Sequence, residues 1–210
     1  MSTSRLQLYN NALLITGSRP LSSLTDNQKS RRVLDYIWDN GAVQACLEQG
    51  YWNFAMRTVR LDATTDIEPD FGYKYAFNKP SDWVRTYAVC TDEFFTSPLT
   101  QYEDEAEYWF CEYDEIYIQY VSNGDEYGNN LGAWPESFKN YVEHYLANKA
   151  APRFTLFTTK KREIRNDTRV ALRDARTQDS SNQAMKLTPL GTWSQARLGW
   201  NGNRRRDRGL

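Results

Sequence analysis

Very few side chains in this 210-residue chain have the type and spacing for chemistry. The single histidine, His144, falls inside a helical pattern but off its main apolar stripe. A catalytic imidazole needs a nucleophile and an orienting acid beside it, and the neighbouring sequence offers neither. The motifs G-x-x-x-x-G-K-[ST], G-x-S-x-G and H-E-x-x-H are absent. The acids Glu103, Asp104, Glu105, Glu107, Glu112, Asp114 and Glu115 cluster, yet they lack the regular spacing and central glycine of a calcium loop. They read as a solvated strand edge, where charge discourages edge-to-edge pairing. Cys46, Cys90 and Cys111 are odd in number and form no C-x-x-C pair, so neither a disulfide framework nor a zinc site is expected, and a reducing compartment is. No enzyme activity and no cofactor are expected.

The charge pattern points to binding instead. Residues 1–148 hold 11 Lys/Arg against 22 Asp/Glu, and residues 149–210 hold 15 against 5, a split of −11 and +10 hidden by the overall −1. Such asymmetry marks a charged extension with a partner. From about Asp179 the chain loses periodicity but keeps spaced apolar anchors, Leu187, Leu190, Trp193, Leu198 and Trp200, beside Arg197, Arg204, Arg205, Arg206 and Arg208. Trp and Arg dominate interface hot spots, and tryptophans are rare in plainly disordered tails. These ten residues are the expected partner-binding set. The arginines could equally meet nucleic-acid phosphates, with Trp193 and Trp200 stacking on bases. The 7 Trp, 14 Tyr and 9 Phe of the chain suggest further interface use of aromatics.

The elements that must carry these residues follow from periodicity and punctuation. Helices are expected over 4–16, closed by Gly17; over 26–49, opened by a capping box at Thr25-Asp26-Asn27-Gln28; over 134–151, with Pro135 in the first turn and a stripe of Phe138, Tyr141, Val142, Tyr145, Leu146 and Lys149, interrupted or kinked by Pro152; and over 158–178, with few apolar residues (Ile164, Val170, Leu172, Ala175). Between them, residues 51–121 read as strands, clearest at Ile116–Val121. The run Ala12–Ile15 is too short for a signal core or a membrane span. The expected fold is α+β: mainly a helical bundle with an inserted antiparallel β-rich part and an extended C-terminal tail. The body is 1–178 and the docking tail 179–210.

Several blocks taken in order carry a resemblance. They are Asn11–Gly17, Leu21–Asp26 and Trp52-Asn53-Phe54-Ala55; then Tyr73–Phe77 followed by Pro80-Ser81-Asp82-Trp83-Val84-Arg85; then Asp114–Val121; then Trp134–Phe138. Over roughly residues 9–150 this order resembles the tail tubular protein A family, the head-to-tail adaptors, or gatekeepers, of short-tailed bacteriophages. The resemblance implies a structural virion protein assembled in host cytoplasm. It implies a homo-oligomeric ring of twelve subunits between the portal protein and a tail nozzle protein, with genomic DNA passing through without sequence-specific binding and no membrane involved. The C-terminal part matches less well; related adaptors use such a tail to reach the portal. A different reading of the basic segment is a DNA-binding accessory protein.

Overall fold

The computed structural model describes residues 4–70, 72–155 and 157–182. Helices α1 (Arg5–Thr16), α2 (Lys29–Asp39) and α3 (Ala42–Leu47) come first. Strands β1 (Met56–Asp62), β2 (Tyr75–Asn78), β3 (Trp83–Cys90), β4 (Glu103–Asp104), β5 (Tyr108–Cys111) and β6 (Glu115–Ser122) follow. Helices α4 (Glu136–Phe154) and α5 (Thr158–Ser181) close the described chain. The protein is therefore mixed α and β, with antiparallel strands inserted between helices.

Local chemistry explains most boundaries. Ser4 caps α1 through its hydroxyl on the Gln7 N–H, and Gly17 ends it at φ 73°, with the Gly17 and Ser18 N–H groups closing on Leu14 and Leu13 carbonyls. The helix expected over 26–49 is two helices. Gly41 takes φ 82°, a left-handed conformation that breaks the run, and Asn40 turns its side-chain amide back onto the Tyr36 carbonyl. The expected capping box does not form either. Thr25 pairs with Ser23, Asp26 accepts from the Ser22 and Ser23 N–H groups, and helix begins only at Lys29, with no side-chain cap from Gln28. Pro135 stands just outside α4 as its N-cap, rather than inside the first turn, and α4 continues past Pro152 to Phe154. The last helix extends to Ser181, so Asp179 is a buried helical residue and not the start of a tail.

Helix α4 is the axis of the helical part and packs against α1, α2, α3 and α5. Its buried face is Phe138, Tyr141, Val142, Leu146, Ala147, Ala150 and Ala151. The stripe of α5 is Ile164, Thr168, Ala171, Ala175 and Asp179. Small residues on both helices allow close approach, and the Thr168 hydroxyl is absorbed by the Ile164 carbonyl at 2.7 Å. Val170, expected on the apolar face, is exposed. An aromatic stack of Trp52, Phe138 and Trp134, with edge-to-face centroid distances of 4.8 and 5.0 Å, fills the middle. The five tryptophans of the described residues are buried or half-buried, so at these positions aromatic enrichment serves packing rather than an interface.

The β part has two three-stranded antiparallel sheets, ordered β1-β6-β3 and β2-β5-β4. Strand β6 pairs with β1 from Met56↔Val121 to Asp62↔Glu115, and its other edge pairs with β3, which bulges twice. Period-two alternation sends Ile116, Ile118 and Tyr120 into a core shared with Phe77, Trp109 and Cys111 of the second sheet. Val121, on the opposite face, enters the helical core with Val84. One strand thus belongs to both cores. Strand β5, Tyr108-Trp109-Phe110-Cys111, falls within the stretch read as strands, although its own bounds are not marked in the sequence. Cys46, Cys90 and Cys111 are buried and not joined in disulfides. Among the described residues, no helix is long and apolar enough to cross a membrane.

Candidate interaction surfaces

The ten residues expected to bind a partner, Leu187, Leu190, Trp193, Arg197, Leu198, Trp200, Arg204, Arg205, Arg206 and Arg208, lie outside the described residues. What the structure assembles is a seam between the two parts, two polar clamps within the β part, and a basic groove on the helices.

The seam forms at the C-terminus of α3, where a helix leaves carbonyls without intrahelical donors. Side chains from three elements satisfy them. The Trp52 indole N–H is shared by the Cys46 and Leu47 carbonyls at 3.2 and 3.1 Å. Arg85 of β3 donates to the Glu48 carbonyl at 3.2 Å, and Arg176 of α5 donates to that of Gln49. Two guanidiniums at a helix C-terminus also complement its dipole. Arg85 stacks on Tyr51, 4.2 Å from the ring centroid, and Tyr51 meets Tyr87 edge-on. On the α5 side, the Asp179 carboxylate accepts from the Asn53 N–H at 3.1 and 3.2 Å, while the Asn53 amide donates to the Asp179 carbonyl at 2.7 Å. Burial pushes the Asp179 carboxyl above its ordinary range, against the lowering effect of Asn53. An open groove of about 420 Å³ remains between Tyr51, Tyr87 and the end of α5.

Within the β part, Asp82 follows β2 and gathers three donors: Arg57 of β1 at 2.8 Å, the Tyr120 hydroxyl at 3.0 Å and the Ser122 hydroxyl. Desolvation pushes its carboxyl up, but the hydrogen bonds from Ser122, Arg57 and Tyr120 outweigh it and hold it below the usual carboxylate value. The second clamp joins the sheets. Lys79 is almost fully buried, contacts Asp104 and the Glu105 carbonyl, and lies 3.9 Å from the Trp83 ring centroid. Asp104 also accepts from Thr86 and from the Trp109 indole, each at 3.1 Å. Glu103, Asp104, Glu105 and Glu107 are all exposed, but Asp104 is also a structural acceptor. Residues 56–122 carry 5 Lys/Arg against 14 Asp/Glu, a net of −9, so the negative charge of the body is concentrated in the β part.

The helical part presents the opposite sign. Lys29 and Arg32 of α2 face Lys149 and Arg153 of α4 across a groove of about 400 Å³ floored by Val33 and Ile37. Tyr36 at its wall is 71% exposed. No carboxylate lines the groove, and among the described residues none of its four cations has an ion-pair partner. The remaining cations of this region are consumed locally: Arg5 and Arg31 both pair with Asp35, at 2.9 and 2.7 Å.

His144 is half-buried, with its Nδ1 unpartnered, and burial lowers its pKa. The charge of Asp167 acts on the ring in the opposite direction. The described residues do not gather three or more His, Cys, Asp or Glu side chains that could hold a metal ion. Sequence reasoning missed Asp82, Lys79, Asp179 and the groove cations, because each is a partner brought in from a distant segment. The Pro80-Ser81-Asp82 turn was the one local signal available for Asp82. Comparison with protein-family models returns no match, and comparison with curated proteins returns none either.

Proposed function

We propose that this chain is a structural virion protein, a head-to-tail adaptor that forms a ring joining a phage portal to its tail and bounding the DNA passage. The observation that carries this reading is where the resembling sequence blocks fall. Asn11–Gly17 ends α1, Leu21–Asp26 forms the turn organised by Asp26 before α2, and Trp52–Ala55 makes the seam. Pro80–Arg85 contains the Asp82 clamp, Asp114–Val121 is the strand shared by both cores, and Trp134–Phe138 starts α4. The blocks are the joints of the fold. A likeness confined to joints speaks for a shared architecture, a helical bundle with a β insertion, more than likeness scattered over surfaces would.

Opposite charge on the two parts of one subunit also suits a head-to-tail ring, in which two different patches must complement each other. The acidic β part would repel DNA phosphates if it faces the channel, letting the genome slide. The C-terminal segment then acts as an extended arm toward the portal or a neighbour, through Leu187, Leu190, Trp193, Leu198, Trp200 and the arginines 197, 204–206 and 208. Partners are the portal protein, a tail nozzle protein and further copies of this chain, twelve by family resemblance.

The test is deletion of residues 183–210, which leaves α5 whole. The expected result is an unchanged thermal unfolding profile with loss of attachment to portal particles. Full occupancy by the truncated protein overturns the docking role of the arm. The outward face of α5, with Arg162, Arg165, Arg169 and Arg173 exposed, favours a second reading, a DNA-binding accessory protein. Tight duplex binding by the isolated protein at physiological salt, weakening steeply as salt rises, would select it.

A further inference from the structure

Among the described residues, the four cations of the basic groove between α2 and α4 make no ion pair; Lys149 lies over the Tyr145 ring. Lys29, Arg32, Lys149 and Arg153 repel one another across a concave surface, which concentrates positive potential there. Arg5 and Arg31, also on the helical part, share Asp35, and Arg5 pairs with Asp39 as well, so the lack of ion pairs in the groove is local and not a general property of these helices. An occupant of negative charge relieves the repulsion, and the apolar floor of Val33 and Ile37 with the exposed Tyr36 ring offers contact area to a backbone as well.

The same chain supplies an exposed acidic element. Strand β4 is two residues long and lies at the edge of its sheet; its Glu103, and Glu105 and Glu107 in the connection to β5, are all exposed. The one nearby cation, Lys79, is committed to Asp104 and to the tryptophan rings. None of these glutamates lines the groove of its own subunit. Their meeting therefore requires two copies.

We propose that the groove of Lys29, Arg32, Lys149 and Arg153 on one subunit receives the Glu103–Glu107 edge of the next copy. The contact is heterologous, a different patch on each side, and repeated contacts of that kind close into a ring when the rotation allows. This rests on the ring reading and deepens it by naming the surfaces.

The experiment is charge reversal with repair in the full chain. Arg32→Glu with Arg153→Glu makes one variant, Glu103→Lys with Glu105→Lys a second, and all four substitutions together a third. All four sites are exposed, and thermal unfolding of each variant checks that the fold is kept. Ring formation is read by sedimentation velocity, at low and high salt, and by occupancy on portal particles. The expected result is a drop in ring population of about tenfold or more for each double variant and recovery in the fourfold variant, where every contact is reversed on both sides. Double variants that assemble as well as the unaltered chain overturn the assignment of surfaces and leave the ring reading standing. Loss in the groove variant without recovery in the fourfold variant also overturns it, and assigns the groove to another acidic partner such as DNA or the portal. An unaltered chain that forms no ring under any of these conditions overturns the ring reading itself.

Discussion

The helical part and the β part of this subunit are stabilised by different means. The helices share one broad apolar cluster, from Leu8 and Tyr9 through Trp52 and Phe138 to Ala175, and their ion pairs sit at its rim. The two sheets share a far smaller core, built on Phe77, Val89, Trp109, Cys111, Ile116, Ile118 and Tyr120. Two short three-stranded sheets bury limited apolar area, and the hydrophobic gain scales with that area. Their relative placement is specified instead by Lys79 between two tryptophans and Asp104, while Asp82 between Arg57, Tyr120 and Ser122 ties the strands of the first sheet together. Where apolar area is ample, charge is free for the surface. Where it is scarce, charged groups enter the structure, and the β part becomes the region sensitive to pH and to single polar substitutions.

The largest expected effect challenges the helical side. Phe138→Ala removes the ring that touches Trp52, Phe54 and Trp134 and should cost about 3–5 kcal/mol in denaturant unfolding. Because Val121 and Val84 tie β6 and β3 to that core, amide protection should fall in both parts. Persistence of protection in the β part alone would mean that the two regions fold independently.

Asp82→Ala comes next, at about 2 kcal/mol, since it strips Arg57, Tyr120 and Ser122 of their shared acceptor. Hydrogen exchange should accelerate in β1, β3 and β6 while α4 stays protected; equal acceleration in α4 would erase the contrast. Because the folded carboxyl of Asp82 lies below its unfolded value near 3.8, its contribution is complete above about pH 4 and is lost as pH falls through the folded value. Asp82→Asn should flatten that acid limb.

The seam sharpens the comparison with a smaller effect. Asp179→Ala removes the carboxylate that accepts from the Asn53 N–H and should cost about 1–2 kcal/mol. Asp179→Asn keeps an acceptor oxygen and removes a charge that burial disfavours, so its thermal midpoint should stay near that of the unaltered chain. Smallest is His144. Its folded pKa is below 6.5, so the unfolded chain takes up a proton first, and stability declines as pH drops from 6.5 toward the folded value. His144→Leu should remove that slope between pH 6.5 and the Asp82 limb, measured by urea unfolding across the range.

Much of the element pattern was legible because it depends on neighbours in sequence. Ser4 and Gly17 bound α1 through groups three to five residues away, and alternation over Ile116–Val121 is a property of one strand. Errors arose where local signals competed. Thr25 and Gln28 match a capping box, but Asp26 organises the preceding turn and Gly41 cuts the helix. Strand β5 lies inside the stretch that reads as strands, but its bounds were not legible because its four residues are bracketed by glutamates.

The sequence by itself determined the helix ends with chemical caps, the central strand, the apolar face of α4, and the separation of acid from base along the chain. Tertiary structure alone decided which groups meet. Asn53 and Asp179 are 126 residues apart, and the groove cations come in two pairs from opposite ends of the described chain. Sequence patterns report interactions within a turn or along a strand. Long-range pairing is settled only when the two cores close and bring distant segments into one packing arrangement, which is why the concentration of acid on the β part and the basic groove on the helices emerged from the fold.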